Sequence, residues 1–376
     1  MLVALQARFR ARPVSTAGGL SWPSVVAVVA IRNEAGLIDR RLENLLAQDY
    51  PAELLRIVVV CNGTTDGGDG IASAFARRSE RVKVISSPLE AGKSGALNWG
   101  IAEARSDEIV VFADARQTFA ADAVRQLVLP FEDPSVGAVT GQLRVTRAGR
   151  PAVDGVRAYW NLERRLRAWE SRSGSVVGAT GAIYAVRRHL ATMLPPNLIL
   201  DDVYLPLTIA MQRRRVVMAE QAVAFDVAAA DEAAEYRRKR RTMVGNIQIL
   251  ASIDGLLSPR RNPLLARYLS HKLMRLLSPF CLAGMLAVAL AIGGPLYGSL
   301  FVAQLAVYVL GVLGLLIRAP LLSIPAAFVL IHVAIFAAVY RWKQGASDVW
   351  VRPEQPAPER RPVPVTHLPR EVSTSA

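Results

Sequence analysis

The chain has 376 residues, enough for one large domain or two medium-sized ones, and carries a net charge of +14. Its two cysteines, Cys61 and Cys281, argue against a disulfide framework or a thiolate metal site. Its four histidines form no i, i+4 pair, and its basic stretches are not interleaved with aromatic residues, so we expect neither a histidine metal centre nor a nucleic-acid partner.

The start of the chain is basic. Residues 1–23 open with an apolar run that is too short for a signal peptide core or a membrane span. We therefore predict a basic N-terminal arm and expect the domain that follows to stay in the cytoplasm.

Residues 24–231 alternate strand-like and helix-like segments. This rhythm predicts an α/β domain with a Rossmann-like, mostly parallel sheet. The predicted strands are 25–31, 56–61, 82–86, 109–114, 137–143, 176–186 and 215–219. The predicted helices lie near 36–48, 67–78, 94–105, 119–131, 155–170 and 202–213.

The C-terminal third has a different composition. Residues 232–271 form a basic, partly amphipathic stretch that we predict to be an interfacial helical segment. Residues 272–340 hold three apolar segments, each close to the ~20 residues that cross a bilayer. This predicts two or three transmembrane helices in a multi-pass protein of the inner membrane. Residues 341–376 are rich in proline and arginine and are predicted to be disordered.

The direction of these crossings is left open by the sequence. Three crossings from a cytoplasmic head would place the tail outside, whereas the basic residues that open the tail favour the inside. Either one apolar segment is interfacial or re-entrant, or the charge bias is overridden.

One carboxylate, Asp114, ends the predicted strand at 109–114. Residues 109–116 read Ile-Val-Val-Phe-Ala-Asp-Ala-Arg, and such an apolar run is typical of a buried parallel strand. In open α/β sheets, ligands bind at the carboxyl ends of such strands. Asp114 is therefore expected to meet the phosphates of a nucleotide or their metal ion.

Further short motifs occur in a fixed order. Residues 31–34 are Ile-Arg-Asn-Glu, and residues 59–66 are Val-Val-Cys-Asn-Gly-Thr-Thr-Asp. A Gly-Lys-Ser-Gly stretch at 92–95, a Gly-Ala-Thr-Gly stretch at 178–181 and Leu-Asp-Asp at 200–202 follow. Together these motifs resemble glycosyltransferase family 2, and in particular its membrane-integrated bacterial members related to polysaccharide synthases.

The resemblance implies a GT-A fold and an inverting transfer. A sugar would pass from a nucleotide-diphosphate sugar, by default a UDP-sugar, to a lipid-linked or polysaccharide acceptor at the membrane. Asp202 would be the base for the acceptor hydroxyl, and the neighbouring Asp201 would raise its pKa by like-charge repulsion. Asp114 would hold a divalent metal, Mg²⁺ or Mn²⁺, on the diphosphate. The implied donor-binding residues are Asn33, Glu34, Asn62, Asp66, Lys93, Asp114 and Arg116, with Thr180, Gly181, Arg238 and Arg241 at the donor and acceptor site.

Several of these residues also have a purely structural interpretation. Asp201 and Asp202 would cap the helix at 203–213, and Glu34 and Asp66 would each cap the helix that follows. The basic stripe at 238–241 would contact anionic lipid instead of the donor diphosphate. A P-loop around Lys93 is excluded, because its spacing needs glycine at position 87, where serine stands.

Three positions depart from the family pattern. Arg116 stands where the metal motif usually has a second aspartate, which predicts weaker metal binding and allows metal-independent transfer. Asn62 stands where an aspartate reads the nucleotide base, so the base is not fixed. Thr242 stands in place of the signature tryptophan, which argues against processive polymerisation. The alternative function is a catalytically degenerate scaffold of a polysaccharide assembly complex.

Overall fold

The computed structural model describes residues 21–87, 92–105, 108–146, 154–227, 232–317 and 320–344. The predicted basic arm lies outside the described residues up to position 20, and the predicted tail lies outside them from position 345.

Eight strands form one mixed sheet in the order β3-β2-β1-β4-β7-β6-β8-β5. In this order β1 pairs in parallel with β2 and β4, and β2 pairs in parallel with β3. β7 is antiparallel to both of its neighbours, and β6 and β8 are again parallel. The strands are β1 Val25–Ile31, β2 Leu55–Asn62, β3 Val82–Ser87, β4 Ile109–Ala113, β5 Thr118–Phe119, β6 Val136–Thr146, β7 Ile183–Arg187 and β8 Arg215–Val227.

Helices cover both faces of this sheet, as expected for strands that are apolar on both sides. Alternate residues of β1 enter two separate cores, with Val25 in one and Val26 in the other. Helices α1, α2 and α4 pack on the first face, whereas α3, α6 and α7 pack on the second. These helices and α5 are α1 Ala35–Leu46, α2 Gly68–Arg78, α3 Gly92–Ala102, α4 Ala123–Val128, α5 Asp154–Arg172, α6 Asp201–Met211 and α7 Glu232–Ser252.

Two strand predictions needed correction. The predicted strand 176–186 exists only from Ile183, because residues 176–179 are irregular and a turn from Thr180 to Ile183, closed by a bridge between them, precedes the strand. The predicted strand 215–219 continues to Val227 past a bulge. The prediction ended too early because Glu220 and Gln221, at the irregular point of the β6–β8 pairing, are polar.

Three helices at the C-terminal end are long and apolar enough to cross a membrane. They are α8 Leu265–Ile292, which contains a π-helical turn at Leu269–Leu273, α9 Gly294–Ile317, and α10 Ser323–Lys343. The last two approach closely, because a Cβ on Gly314 would lie 2.6 Å from the Leu322 carbonyl oxygen. Small residues permit such contacts between membrane helices.

The membrane-length helices also contact the α/β domain. A small apolar cluster joins Met243 of α7, Leu276 of α8, and Ile335 and Ala338 of α10. The predicted interfacial segment therefore contributes a helix, α7, that is packed between the sheet domain and α10.

Candidate active site

The site lies at the carboxyl ends of the parallel strands, where Lys93 connects two carboxylates. Its ammonium nitrogen lies 3.1 Å from Asp114 Oδ1 and 3.3 Å from Asp201 Oδ1. Lys93 follows Gly92, whose backbone has a positive φ of 62°. Burial alone would lower the pKa of Lys93, but the two carboxylates outweigh it and raise the pKa. The lysine therefore stays charged between the strand β4 end and helix α6.

Asp201 accepts a hydrogen bond from Tyr184, an aromatic residue of strand β7. The buried Tyr184 hydroxyl donates a 2.6 Å hydrogen bond to Asp201 Oδ2. The Tyr184 ring stacks on Phe112 of the neighbouring strand, with centroids 4.6 Å apart. Burial and the Asp201 charge raise the pKa of Tyr184 well above its usual value, so it remains a donor. Asp201 is thus fixed on both oxygens by partners.

Asp202 has different surroundings. The Gly181 N–H donates a 3.0 Å hydrogen bond to Asp202 Oδ2, and the Ala179 N–H donates to its carbonyl oxygen. Burial raises the pKa of Asp202 to about 6, and Asp201 adds to the rise, while Lys93 opposes it. A carboxylate with such a pKa is ionised at neutral pH and still able to take a proton.

Neither aspartate forms a conventional helix cap. Helix α6 begins at Asp201, and its N-cap residue is Leu200, which makes no side-chain cap hydrogen bond. The two carboxylates bond instead to Lys93, Tyr184 and the Gly181 backbone. Their position in the first turn still complements the helix dipole, so the structural and chemical interpretations coexist.

Helix α7 fixes the loop that leads into this pair. Gln248 accepts a hydrogen bond from the Ile199 N–H and donates one to the Asn197 carbonyl, both 2.9 Å long. Gly245 allows close packing, since a Cβ there would lie 2.6 Å from Leu200 Cγ. The part of α7 that follows Thr242, the position of the signature tryptophan, thus contacts the loop before the acidic pair.

A second group of predicted residues lies at the ends of β1 and β2. Asn33 Oδ1 accepts hydrogen bonds from the backbone and the hydroxyl of Thr65. Asp66 accepts from the Ala35 N–H at the start of α1 and from the Gly68 N–H at the start of α2. The capping interpretation of Asp66 therefore has direct geometric support. Glu34 is the N-cap residue of α1, is 7% exposed, and makes no side-chain cap hydrogen bond.

Asn62 closes the same edge of the sheet. It is fully buried and accepts a 3.2 Å hydrogen bond from the Ser87 hydroxyl. Within the described parts of the chain, its amide nitrogen has no hydrogen-bond partner. A buried amide donor without a partner is costly, so this group is well suited to a ligand acceptor atom.

Arg116 faces a partner that the sequence did not reveal. Its guanidinium donates a 2.6 Å hydrogen bond to Asp226 of β8, which is buried. Gln117 also donates to the same Asp226 oxygen at 3.0 Å. Because Asp226 is a counter-charge, Arg116 adds less net positive charge beside Asp114 than its position in the motif suggests.

The remaining predicted residues are Thr180, which lies beside Gly181, and two arginines of α7. The Thr180 hydroxyl accepts a 2.5 Å hydrogen bond from Arg167, and the Thr180 N–H donates to Thr140. Arg241 lies close enough to Lys93 to oppose its protonation electrostatically. Arg238 is exposed on α7. Arg241 is thus near the cluster, as its predicted role requires, and Arg238 lies about one helical turn before it.

Sequence reasoning missed residues that contact or electrostatically affect the cluster. A tyrosine in an apolar strand is usually a core residue, and an aspartate at a strand end has no motif of its own. For an arginine within an arginine-rich helix, or a lysine at the edge of an apolar helix, the sequence does not indicate how close the side chain lies to the acidic cluster. These residues are Tyr184, Asp226, Arg167 and Lys272.

The α/β sheet with acidic residues at its strand ends has the GT-A fold, and three membrane-length helices follow it. The sequence model of the family "Glycosyl transferase family 2" matches residues 26–192. A solved mannosyltransferase from Pyrobaculum calidifontis, in complex with GDP-Man and Mn²⁺, superposes with a TM-score of 0.67 at 26% identity, covering 90% of this chain and 93% of that one. Residues 26–192, which are less than half of this chain, thus resemble glycosyltransferase family 2.

Curated relatives are also glycosyltransferases. An N-acetylglucosaminyltransferase of Rhizobium meliloti is 33% identical over 189 residues, which are 49% of this chain and 43% of the relative. A beta-monoglucosyldiacylglycerol synthase of Synechocystis is 30% identical over 125 residues, 33% of this chain and 26% of the relative. The chain thus spans less than half the length of these curated relatives.

Proposed function

We propose that this protein is an inverting, membrane-bound glycosyltransferase that moves a sugar from a nucleotide-diphosphate sugar to a lipid or glycan acceptor. The observation that carries the proposal is the bridge of Lys93 between Asp114 and Asp201, with Asp202 next to it in the same helical turn. One cation and three carboxylates are therefore grouped in the candidate site.

The nucleotide half of the donor would lie over the ends of β1, β2 and β3. Asn33, Asp66 and the unpartnered amide of Asn62 form this edge. Lys93 and Arg241 would neutralise the diphosphate as it leaves, because preorganised cations stabilise the charge that develops on a leaving group. Arg116 would assist from its pair with Asp226.

A divalent metal fits this site with Asp114 as its protein ligand. Within the described residues, no group of three histidine, cysteine, aspartate or glutamate side chains comes together. Mg²⁺ commonly uses one or two carboxylates and takes its other ligands from phosphates and water. When bound, it would polarise the diphosphate. The Mn²⁺ in the Pyrobaculum calidifontis complex supports this assignment.

Asp202 would act as the base. The acceptor hydroxyl oxygen would form the new bond to the anomeric carbon while the bond from that carbon to the diphosphate oxygen breaks. The hydroxyl proton would pass to Asp202, and attack from the face opposite the leaving group would invert the configuration. The raised pKa of Asp202 suits this task.

The donor base and the acceptor are inferred from weaker support. A UDP-sugar is the default from the family resemblance, while the mannosyltransferase complex contains GDP-Man, so both bases belong in the test. The beta-monoglucosyldiacylglycerol synthase supports a lipid acceptor. Thr242 in the signature position favours a single transfer over polymerisation.

The three membrane-length helices associate the protein with a bilayer. We assign it to the cytoplasmic face of the inner membrane, with residues 24–231 as the catalytic domain, 232–271 as the interfacial segment and 272–340 as the membrane region. In the described residues, α7 and the start of α8 carry the basic side chains that would face anionic lipid.

A donor panel tests the proposal. Membranes containing the full chain are incubated with UDP- and GDP-sugars and native lipid extract, and products are identified by mass spectrometry. We expect one donor to be consumed, and Asp202→Asn to abolish transfer while keeping nucleotide binding. Asp49→Asn, a change at an exposed surface pair, is the control and should leave transfer unchanged. Nucleotide binding without turnover of any donor would instead indicate the scaffold function.

A further inference from the structure

A cavity outside the donor cluster lies between α5 and the start of α8. It is lined by residues of both helices and by Val177 and Gly178 of the turn before β7. Its volume of about 30 Å³ holds two or three water-sized groups, at roughly 10–15 Å³ each. This volume can accept the two or three terminal oxygens of a phosphate ester. We name it the junction cavity.

The junction cavity has an excess of positive charge. Arg167 of α5 and Lys272 and Arg275 of α8 contribute cations. Glu163 forms an ion pair with Arg275 and so compensates one of them. The second acidic residue, Glu170, has its Oε1 atom 2.5 Å from His271 Nδ1, so three cationic side chains face two carboxylates in the lining.

Lys272 is the least compensated of these cations. Among the described residues, no hydrogen bond or ion pair engages its ammonium, and its electrostatic neighbours are Arg167, Arg275, Glu163 and Asp202. Among the residues that the structure describes, Arg167 donates to the neutral Thr180 hydroxyl at 2.5 Å and forms no ion pair. In the described residues no carboxylate forms an ion pair with Lys272 or Arg167, although Glu163 acts on both electrostatically. Two adjacent cations of these types can bind a phosphate.

The cavity is directly connected to the proposed base. Arg167 bonds Thr180, and the next residue, Gly181, donates its N–H to Asp202. Lys272 and Arg167 both act electrostatically on Asp202. The other end of the cavity is at the first turns of α8, where the long apolar helix begins.

We infer that the junction cavity binds the phosphate of an anionic lipid acceptor, so that a hydroxyl on the same headgroup reaches Asp202. The lipid chains would lie along α8, and the phosphate would rest between Arg167 and Lys272. The inference rests on the proposed transferase function and specifies its acceptor as a phosphate-bearing lipid.

Fractionated lipid tests the inference. Native lipid extract is separated by anion exchange into neutral and anionic fractions, and each is supplied with the donor found in the panel. We expect the acceptor in the anionic fraction. Acceptor activity confined to the neutral fraction would overturn the inference.

Steady-state kinetics of cavity variants of the full chain provide a second test of the inference. Lys272→Gln should raise the acceptor KM about tenfold, the effect of losing one charged hydrogen bond, and lower kcat by less. Glu163→Gln, which releases Arg275 from its pair, should lower the acceptor KM. Arg165→Gln, at an exposed position of the same helix, is the control and should change neither. An acceptor KM that does not respond to either cavity variant would refute the assignment.

Competition separates a lipid headgroup from free phosphate. Dioleoyl phosphatidic acid in phosphatidylcholine vesicles should compete with the acceptor, whereas inorganic phosphate should compete far less. Equal competition would make the cavity a site for free phosphate and overturn the lipid assignment. If the wild type consumes no donor with or without acceptor, the transferase proposal itself has failed. If it hydrolyses donor but uses only neutral lipid, the acceptor inference alone has failed.

Discussion

Replacing Asp202 by asparagine should stabilise the protein while it removes activity. The pKa of Asp202 is raised from 3.8 to about 6, first by burial and then by Asp201. A carboxylate with a raised pKa destabilises the folded state once it is ionised. Its full contribution to stability is present below pH 3.8 and is lost as the pH rises through about 6.

The size of this effect follows from the pKa difference. A shift of about two units at roughly 1.4 kcal/mol per unit gives about 3 kcal/mol as the cost of ionising Asp202 at neutral pH. Asparagine has nearly the same shape, keeps an oxygen for the Gly181 N–H, and carries no charge. Asp202→Asn should therefore gain up to about 3 kcal/mol, with each kcal/mol worth about 2–4 °C in Tm.

Thermal unfolding of the full chain in detergent measures the gain, at equal scan rates for both proteins. The difference in Tm should be largest near neutral pH and should shrink as the pH falls below about 6, because the wild type then becomes protonated. Over the same range the wild-type kcat should fall about tenfold per pH unit. Asp49→Asn at the exposed pair with Arg125 should change stability by less than about 0.5 kcal/mol.

Two results would refute this reasoning. Transfer at the wild-type rate by the Asp202→Asn protein would show that another group takes the acceptor proton. A lower Tm at neutral pH would show that the ionised carboxylate stabilises the fold, and that its surroundings are not those of a buried, like-charged pair.

Three further predictions concern two residues that contact Asp201 and one glycine of the membrane-length helices. Lys93→Met should move the pH–rate profile to higher pH, since the pKa of Asp202 loses a cation that lowers it, and should cost about 3–5 kcal/mol in thermal unfolding. Tyr184→Phe keeps the ring stacking but loses a charged hydrogen bond, so it should cost about 1.5–3 kcal/mol in the same assay. Gly314→Val should destabilise the pairing of α9 with α10 by about 1–3 kcal/mol in detergent, whereas Gly298→Val, where a Cβ meets nothing within 4 Å, should not.

The sheet was predictable where its strands are continuous apolar runs. β1 has the predicted bounds, and β4 differs by one residue, because both are buried on two sides and bounded by polar residues. β7 was predicted too long, since Val176 and Val177 are buried like strand residues although they lie in an irregular segment. The two-residue β5 has no pattern long enough to identify.

The candidate site divides in the same way. Lys93, Asp114 and Asp201 were identified from motifs, and the fold places a carboxylate oxygen of each aspartate within 3.3 Å of the Lys93 ammonium nitrogen. Asp226 and Lys272 were not, because their approach depends on how β8 and α8 pack, which no local pattern encodes. Sequence order thus identified the residues that belong to short motifs, and tertiary contacts supplied the rest.

The packing of α10 against α7 affects how this protein can be prepared. α10 rests on α7 through Ile335 and Ala338, and α7 supports the loop before Asp201 through Gln248. A water-soluble fragment made by cutting away the hydrophobic end would expose that face of α7 and leave the loop less firmly supported. Solubilisation and catalytic competence should therefore change together, and the choice of detergent becomes a variable of the enzymology.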